Sequence, residues 1–329
     1  MNATTRIIEP WHVAKKGQKS VAQLFHTSAE VLLAAQPDNS IDLIVTSPPY
    51  CMGMEYDKYT SADDFLREHR AILPEVARVL KLGGSACWQV GHHVKEGVVT
   101  PLDILVYVAA RDVPELVLRN RIVWTFGHGL HAPNRFSGRH ETVMWFTKGA
   151  DYTFNLDDVR VPQKYPGKRH YKGDKKGQFS GNPLGKNPSD VWGFAEEGDV
   201  WDIPNVKARH VEKSQHPCQF PVALPRRLIR ALSSSGSLVC DPYLGSGTTA
   251  VAAALENRRF VGSDTEKRYL QIARQRIVNL NGGALHIRQD GPPQAPSITH
   301  AVAKLPPSWQ RLRNSARRTN DGGRKARKT

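Results

Sequence analysis

One short stretch of the sequence has the residue types needed to hold a planar base by its exocyclic amine. Thr46-Ser-Pro-Pro-Tyr50 follows directly on an apolar run at 41–45. Two consecutive prolines fix the backbone and carry no amide hydrogen, so the Ser47 and Pro48 carbonyls are held as acceptors. The Tyr50 ring offers a flat face for stacking. A rigid loop with a surface tyrosine is the simpler interpretation, and the position after a buried strand argues against it.

A second stretch, Asp241-Pro-Tyr-Leu-Gly-Ser-Gly-Thr-Thr249, has the composition of a cofactor-binding loop. It follows a strand-like run, breaks at Gly245 and Gly247, and leads into an alanine-rich helix. Such a turn brings the backbone close to a ligand and directs a helix N-terminus at a negative group. The loop lacks the lysine of a P-loop, which disfavours triphosphate binding. A close-packed turn without a ligand is the alternative interpretation.

An acidic residue one strand later supports the cofactor interpretation. Asp264 ends the next apolar run, Phe260-Val-Gly-Ser-Asp264. A carboxylate at the end of the second strand is placed to bind a ribose diol. We therefore expect a nucleoside cofactor on this loop.

Together the two stretches resemble the catalytic and AdoMet-binding motifs of DNA amino-methyltransferases. Their order, with the catalytic motif first, is similar to the permuted order of the β group. The resemblance covers about residues 21–280 and includes Val79-Leu-Lys-Leu-Gly-Gly84 and His216-Pro-Cys-Gln-Phe-Pro221. It implies an α/β, Rossmann-like AdoMet-dependent methyltransferase fold with a mostly parallel sheet, permuted motif order and an inserted target-recognition region.

The resemblance also implies a role for each motif residue. The catalytic residues would be Ser47, Pro48, Pro49 and Tyr50. The residues that bind S-adenosyl-L-methionine would be Thr46, Phe220, Asp241, Tyr243, Gly245, Ser246, Gly247, Thr248 and Asp264. No metal is expected. Two positions depart from the family pattern, because Asp264 stands where glutamate is commoner and His26-Thr27 replaces the usual Gly-Asp.

The activity that this resemblance implies is methyl transfer to the N4 amine of cytosine in double-stranded DNA, on a base flipped onto Tyr50. Ser-Pro-Pro-Tyr with Phe220-Pro221 resembles the cytosine members of the family. Adenine-N6 transfer is the alternative, although adenine members more often carry Asp or Asn before Pro-Pro-Tyr. A non-catalytic DNA-binding protein is a further alternative. So is an RNA or protein methyltransferase, but these usually place the cofactor motif first.

A rival chemistry lies in Pro217-Cys-Gln219, which resembles the nucleophile motif of cytosine C5-methyltransferases. In those enzymes a thiolate attacks the ring. They place the cofactor loop first and need a Glu-Asn-Val element, whereas the only Glu-Asn pair here, Glu256-Asn257, follows the alanine-rich helix. We therefore interpret Cys218 as a small packing residue beside the cofactor.

The elements that must position these residues alternate along the chain. Apolar runs predict strands at 21–25, 41–45, 85–90, 119–126, 142–147, from 238, and at 260–262. Periodic patterns predict helices at 28–35, 63–80, 102–110, 225–232, 248–256 and 269–278. Pro74 is expected to kink the second helix, and Lys81-Leu-Gly-Gly84 to end it with a glycine cap. The alternation indicates a mostly parallel sheet covered on both faces.

Composition divides the chain into segments. We expect a basic arm at 1–20, the catalytic half of the methyltransferase domain at 21–147, a target-recognition insertion at 148–213, the AdoMet-binding half at 214–282 and a disordered basic tail at 283–329. The insertion supplies candidate DNA-phosphate contacts from Lys164, Lys168, Arg169, Lys172, Lys175 and Lys176. A disordered basic loop is the alternative there. His140-Glu141 and Trp145 lie where the family has base-pocket residues, or they form a satisfied core pair.

The charge balance agrees with a polyanionic partner. There are 46 Lys and Arg against 31 Asp and Glu, a formal charge of +15, which favours nucleic acid over a merely solvated surface. The four cysteines contain no Cys-x-x-Cys pair, which argues against a zinc site or a disulfide framework. With no membrane-length apolar run and no signal peptide, a cytoplasmic protein is expected. Its partners would be double-stranded DNA and a cognate restriction endonuclease, and the protein would be a monomer or homodimer.

Overall fold

The computed structural model describes residues 13–14, 21–50, 61–126, 131–193, 203–207, 210–288, 304, 306 and 309. Within these residues the strands are Val13–Ala14 (β1), Val21–His26 (β2), Ile41–Thr46 (β3), Leu80–Val90 (β4), His92–Lys95 (β5), Val98–Pro101 (β6), Leu116–Thr125 (β7), His140–Lys148 (β8), Val191–Gly193 (β9), Leu238–Asp241 (β10) and Arg259–Asp264 (β11). The helices are Ala29–Ala34 (α1), Ala62–Val79 (α2), Leu102–Ala110 (α3), Ala223–Leu232 (α4), Thr248–Leu255 (α5) and Lys267–Asn281 (α6).

One sheet of nine strands, in the order β1-β2-β11-β10-β3-β4-β8-β7-β9, forms the centre of the fold. Strands β2, β11, β10, β3 and β4 run parallel to their neighbours. Strands β8 and β7 extend the sheet antiparallel at one side. Ile41, Leu43 and Ile44 in the middle strand are completely buried, as expected for a strand covered on both faces. The predicted α/β class with a parallel centre is confirmed.

The chain leaves β3 and β10 in opposite directions along this sheet. From β3 it passes through α2 to β4 on one side, and from β10 it passes through α5 to β11 on the other. The carboxyl ends of β3 and β10 therefore flank a topological switch point, which is where open α/β sheets bind ligands.

Helix α2 begins as its sequence predicts and ends differently. The Ser61 side chain caps it, accepting a hydrogen bond from Asp64 N at 3.1 Å. The helix continues through Pro74 to Val79, and the next residue is already extended. The predicted glycine cap is wrong, because Gly83 and Gly84 lie inside β4. Gly83 has a φ of +80°, and a Cβ there would lie 2.8 Å from Asp151 O. These glycines serve close strand packing instead.

Two further features were not foreseen from the sequence. Strands β5 and β6 form a separate antiparallel hairpin, and β9 adds a short strand to the edge of the sheet. Among the described residues, no helix has the length and apolar character that crossing a bilayer would require.

The chain divides into two compact units. The first comprises residues 1–155, 190–192 and 203–290, and the second comprises 156–189, 193–202 and 291–329. Residues 148–155, 190–192 and 203–213, which the sequence places in the insertion, thus belong to the first unit. In the second unit the Arg169 guanidinium lies 3.9 Å from the centre of the Phe179 ring. Trp309, from the predicted tail, is buried against the same ring at a centroid distance of 5.0 Å.

Of the predicted arm at 1–20, only residues 13–14 are described, and they pair with β2. Most of the tail beyond residue 288 lies outside the described residues.

Candidate active site

The two chemistry-bearing stretches meet at the switch point of the sheet. Strands β3 and β10 are parallel neighbours, with Ile44 paired to Cys240. At their carboxyl ends Thr46 Oγ1 donates a 2.6 Å hydrogen bond to Asp241 Oδ1. The proline tip that follows β3 and the glycine loop that follows β10 consequently start from adjacent positions.

A cavity of about 330 Å³ opens where the two loops meet. Ten of the sequence-predicted site residues line it: Ser47, Pro48, Pro49, Tyr50, Phe220, Tyr243, Gly245, Ser246, Thr248 and Asp264. Thr46 and Asp241 are completely buried beneath these residues at the strand ends. The six predicted DNA-binding cations belong to the second unit.

The glycine loop has little room for any other residue. Gly247 caps α5 in a left-handed conformation with φ of +74°. A Cβ on Gly247 would lie 2.6 Å from the Cβ of Ala273. The loop therefore packs closely on α6 and presents the N-terminus of α5 to the cavity, the geometry that binds anionic groups.

A buried cation supports this loop from below, although no sequence motif marks it. Arg276 on α6 donates hydrogen bonds to Ser246 O at 2.8 Å, Ser246 Oγ at 3.1 Å and Thr248 Oγ1 at 2.9 Å. Burial lowers the pKa of Arg276 to about 10, so the side chain stays protonated at neutral pH. It adds positive charge beneath a loop that already favours anions.

Asp264 at the end of β11 shapes the same loop from the other side. Its Oδ2 accepts a hydrogen bond from Gly245 N, and its Oδ1 accepts one from Glu266 N, both at 2.8 Å. Burial raises the pKa of Asp264, and the two backbone hydrogen bonds oppose that shift. Each carboxylate oxygen can accept a second hydrogen, so the group can still bind a pair of ribose hydroxyls.

Asp241 carries an unused acceptor. Its Oδ1 takes hydrogen bonds from Thr46 and from Tyr243 N, whereas Oδ2 has no hydrogen-bond partner within the described part of the chain. Burial raises the pKa of Asp241 to about 6, although the neighbouring Thr46 and Thr249 hydroxyls and the Tyr243 amide oppose it. A buried acceptor without a partner suits a ligand that brings a donor or a positive charge. AdoMet has a ribose, a carboxylate and cationic groups, and this site suits all of them.

Part of the cavity wall suits a flat, partly polar ligand. Tyr50, Trp124 and Phe126 supply aromatic surface, and Gln89 and Glu141 supply hydrogen-bonding groups. Burial raises the pKa of Glu141 to about 7. Gln89 was missed from the sequence because a glutamine inside an apolar strand carries no motif.

The structure distinguishes the two interpretations of His140, Glu141 and Trp145, as base-pocket residues or as core residues. Glu141 lines the cavity. Trp145 belongs to the core, where its Nε1 donates to Ser85 Oγ at 3.0 Å and its ring stacks on Phe154. The His140 ring lies 6.2 Å from that of His92.

Cys218, interpreted from the sequence as a small packing residue beside the cofactor, is exposed and lines the cavity.

The fold and the cavity define an AdoMet-dependent methyltransferase with the motif order of the β group of DNA amino-methyltransferases. A family described as DNA methylase, comprising N6 and N4 methyltransferases, matches residues 41–275, and the chain belongs to this family.

Several characterised proteins are similar to the chain. The type II methyltransferase M.BglII of Bacillus subtilis is 42% identical over 268 residues, which cover 81% of this chain and 72% of the relative. The type II methyltransferase M.ScaI of Streptomyces caespitosus is 35% identical, covering 77% and 80%. The DNA adenine methyltransferase YhdJ of Escherichia coli is 28% identical, covering 77% and 82%.

Solved structures share the fold. The cytosine-N4-specific PvuII DNA methyltransferase superposes with a TM-score of 0.62 over 84% of this chain and 95% of that structure, at 19% identity. The putative DNA modification methylase TTHA0409 of Thermus thermophilus, in complex with S-adenosyl-L-methionine, gives a TM-score of 0.53 at 26% identity, covering 78% and 94%. The protein therefore uses AdoMet as its cofactor.

Proposed function

We propose that this DNA methyltransferase modifies the N4 amine of cytosine in double-stranded DNA, as the protective enzyme of a restriction-modification system. The observation that carries the choice of cytosine is the serine at position 47 of the catalytic tip, which lines the cavity beside Pro48. Adenine members of the family more often carry an acid or amide there. The likeness to two type II methyltransferases supports the restriction-modification role.

Some of the site residues bind the cofactor, and others bind the target base. AdoMet, when bound, supplies an electrophilic methyl group on its sulfonium. Asp264 accepts the ribose hydroxyls, and the loop at the N-terminus of α5 holds the carboxylate of the methionine portion. Phe220 contributes to the cavity wall beside the adenine of AdoMet.

The catalytic tip, residues 46–50, binds the target base. Tyr50 stacks on the flipped ring, an interaction worth roughly 1–3 kcal/mol. The Ser47 hydroxyl and the Pro48 carbonyl accept hydrogens from the amine and draw its lone pair out of ring conjugation. These acceptors matter most in the transition state, as the nitrogen becomes tetrahedral.

Cys218 has no role in this chemistry, since transfer to an amine needs no covalent adduct with the ring. A Cys218→Ser variant should retain most of its turnover. DNA with 5-fluorocytosine at the target should form no covalent adduct, and a trapped adduct would contradict direct transfer.

Binding of the DNA backbone is assigned to the second unit. Lys168, Arg169, Lys172, Lys175 and Lys176 are exposed there, and Lys164 lies 5.9 Å from the centre of the Tyr165 ring. Exposed cations interleaved with aromatic rings suit phosphate binding and base stacking. This unit would therefore act as the target-recognition region.

Adenine-N6 transfer is the second candidate, because a related protein, YhdJ, is a DNA adenine methyltransferase. Both bases present an amine beside a ring nitrogen, and the tip could accept hydrogens from either.

The decisive experiment is incubation with labelled AdoMet and mixed-sequence DNA, followed by mass analysis of the nucleosides. N4-methylcytosine is expected, whereas N6-methyladenine would show that adenine is the target. A Ser47→Ala variant provides the matched control, because it should lose turnover while its AdoMet affinity stays unchanged.

A further inference from the structure

A carboxyl group in the cavity wall has no part in the chemistry described so far. Glu141 is the second residue of β8, and Gln89 stands near the end of the neighbouring strand β4. The Gln89 side-chain amide donates a hydrogen bond to Glu141 Oε2. Both side chains line the cavity.

The position of Gly91 shows where the second carboxyl oxygen lies. A Cβ built on Gly91 would be 3.3 Å from Glu141 Oε1 and 3.3 Å from Tyr50 Cε2. Oε1 and the edge of the Tyr50 ring thus flank the same small space. A base stacked on Tyr50 would bring its hydrogen-bonding edge within reach of Oε1.

The surroundings of Glu141 favour its neutral form. Burial raises its pKa to about 7, and the hydrogen bond from Gln89 and the charge of Lys207 oppose that shift. A base filling the cavity would expel water and favour the neutral form further. Other titratable side chains that line the cavity are Glu30, Tyr50, Glu68, His216, Cys218, Tyr243, Asp264, Glu266 and Tyr269.

The hydrogen bond from Gln89 also decides which oxygen carries the proton. An oxygen that accepts from an amide N–H in this geometry serves as the carbonyl of the neutral acid. The hydroxyl is then Oε1, the oxygen beside Gly91 and Tyr50. The cavity consequently presents one acidic donor next to the stacking surface.

We propose that Glu141 selects the target base by donating a hydrogen bond from Oε1 to the ring nitrogen next to the exocyclic amine. The proposal rests on the function proposed above. That nitrogen is N3 in cytosine and N1 in adenine, and both are acceptors. Thymine and guanine carry a hydrogen at the corresponding ring position, so two donors would face each other and the base would be rejected.

Gln89 is a positioning residue in this scheme. It holds Oε2 and thereby orients Oε1 towards the base. Glutamine at position 141 would mimic the neutral acid, because its amide can accept from Gln89 and donate to the ring. Alanine at position 141 would remove the donor.

The test uses the full-length protein and duplexes with the natural target or with a target lacking the ring nitrogen, 3-deazacytosine. Wild type should prefer the natural base by roughly 10- to 100-fold in kcat/KM, the effect of one buried hydrogen bond. Glu141→Gln should retain this preference, and Glu141→Ala should lose it. AdoMet affinity and thermal unfolding of each variant report whether the fold is intact.

The pH profile provides a second readout that a purely structural role would not change. Wild-type kcat/KM should fall as the pH rises through about 7, because the free enzyme then loses the donor. The kcat/KM of Glu141→Gln should not fall as the pH rises through this range. An inactive Glu141→Gln variant with intact AdoMet binding would overturn the proposal, since it would indicate that the ionised carboxylate is required. An unchanged preference in Glu141→Ala would overturn it as well.

The result of the Glu141 test does not depend on whether the target base is cytosine or adenine. If mass analysis identifies N6-methyladenine, the same comparison is made with 1-deazaadenine in place of 3-deazacytosine. Loss of the preference in Glu141→Ala would then support the role of Glu141 even though the cytosine assignment had failed.

Discussion

Asp241 should make the stability of the ligand-free protein depend on pH, and replacing it with asparagine should remove that dependence. The side chain is completely buried, and its pKa is about 6 against an ordinary value of 3.8. This difference corresponds to about 3 kcal/mol. The folded protein binds this proton more tightly than the unfolded chain does. The stabilisation of the fold by protonated Asp241 is therefore fully present below pH 3.8. It is lost as the pH rises through about 6.

The Asp241→Asn variant keeps an oxygen that can accept from Thr46 and from Tyr243 N, and it cannot ionise. Its stability relative to wild type should therefore increase by about 2 kcal/mol between pH 4.5 and 7.5, and the remainder of the difference lies at lower pH. A buried amide hydrogen without a partner would add a constant cost, which does not change with pH. The change with pH is the quantity to compare.

The pH dependence of the stability difference between wild type and Asp241→Asn is measured by urea unfolding of the ligand-free proteins at several pH values, followed by tryptophan fluorescence. Asp112→Asn is a suitable control, since that carboxylate is exposed and lies 3.3 Å from Arg70 Nε. A difference between wild type and Asp241→Asn that stays constant from pH 4.5 to 7.5 would refute the reasoning, because it would mean that the charged form of Asp241 carries no penalty in the folded protein.

Three further predictions concern the cofactor loop and the second unit. Asp264→Asn should weaken AdoMet binding roughly 10- to 100-fold by leaving donors unpaired while DNA binding persists. Calorimetry showing unchanged AdoMet affinity would remove Asp264 from the site. Arg276→Gln should weaken AdoMet binding more than binding of decarboxylated AdoMet, because the loop would lose the charge that favours the carboxylate. Equal losses for the two ligands would leave Arg276 a purely structural role. Replacing Lys172, Lys175 and Lys176 with alanine should reduce the salt dependence of DNA binding, by about 0.9 in log–log slope for each phosphate that is no longer neutralised. The methylated sequence should not change, and a changed sequence would mean that these lysines read bases.

The parts of the site that could be predicted were those built from local backbone rules. A proline pair after an apolar run, and glycines between a strand and a helix, limit the chain to a few conformations and so mark loops at strand ends. Because parallel strands align their carboxyl ends, that pattern was enough to bring Ser47 and Gly245 to one cavity.

What could not be predicted depends on interactions between residues distant in sequence. Arg276 occupies a helix, where an arginine is most often a solvated surface residue, and only the fold shows that it lies under Ser246. Gln89 and Glu141 are far apart in the chain, and their pairing requires the register of β4 against β8. Gly83 and Gly84 follow a helix, where a cap is the local preference, and the packing of β4 against the chain at Asp151 overrides it.

The neighbouring position of β3 and β10 has a consequence for how the protein is made. Thr46 and Asp241 are 195 residues apart, so a ribosome adding roughly 5–20 residues per second needs about 10–40 s to supply β10 after β3 has emerged. During that interval the apolar edge of β3 has no partner on one side, and an uncovered edge strand of this kind readily pairs with other chains. An incomplete chain is therefore prone to aggregate and cannot methylate DNA, because neither the cofactor loop nor Asp264 yet exists. Activity therefore requires that synthesis has passed Asp264.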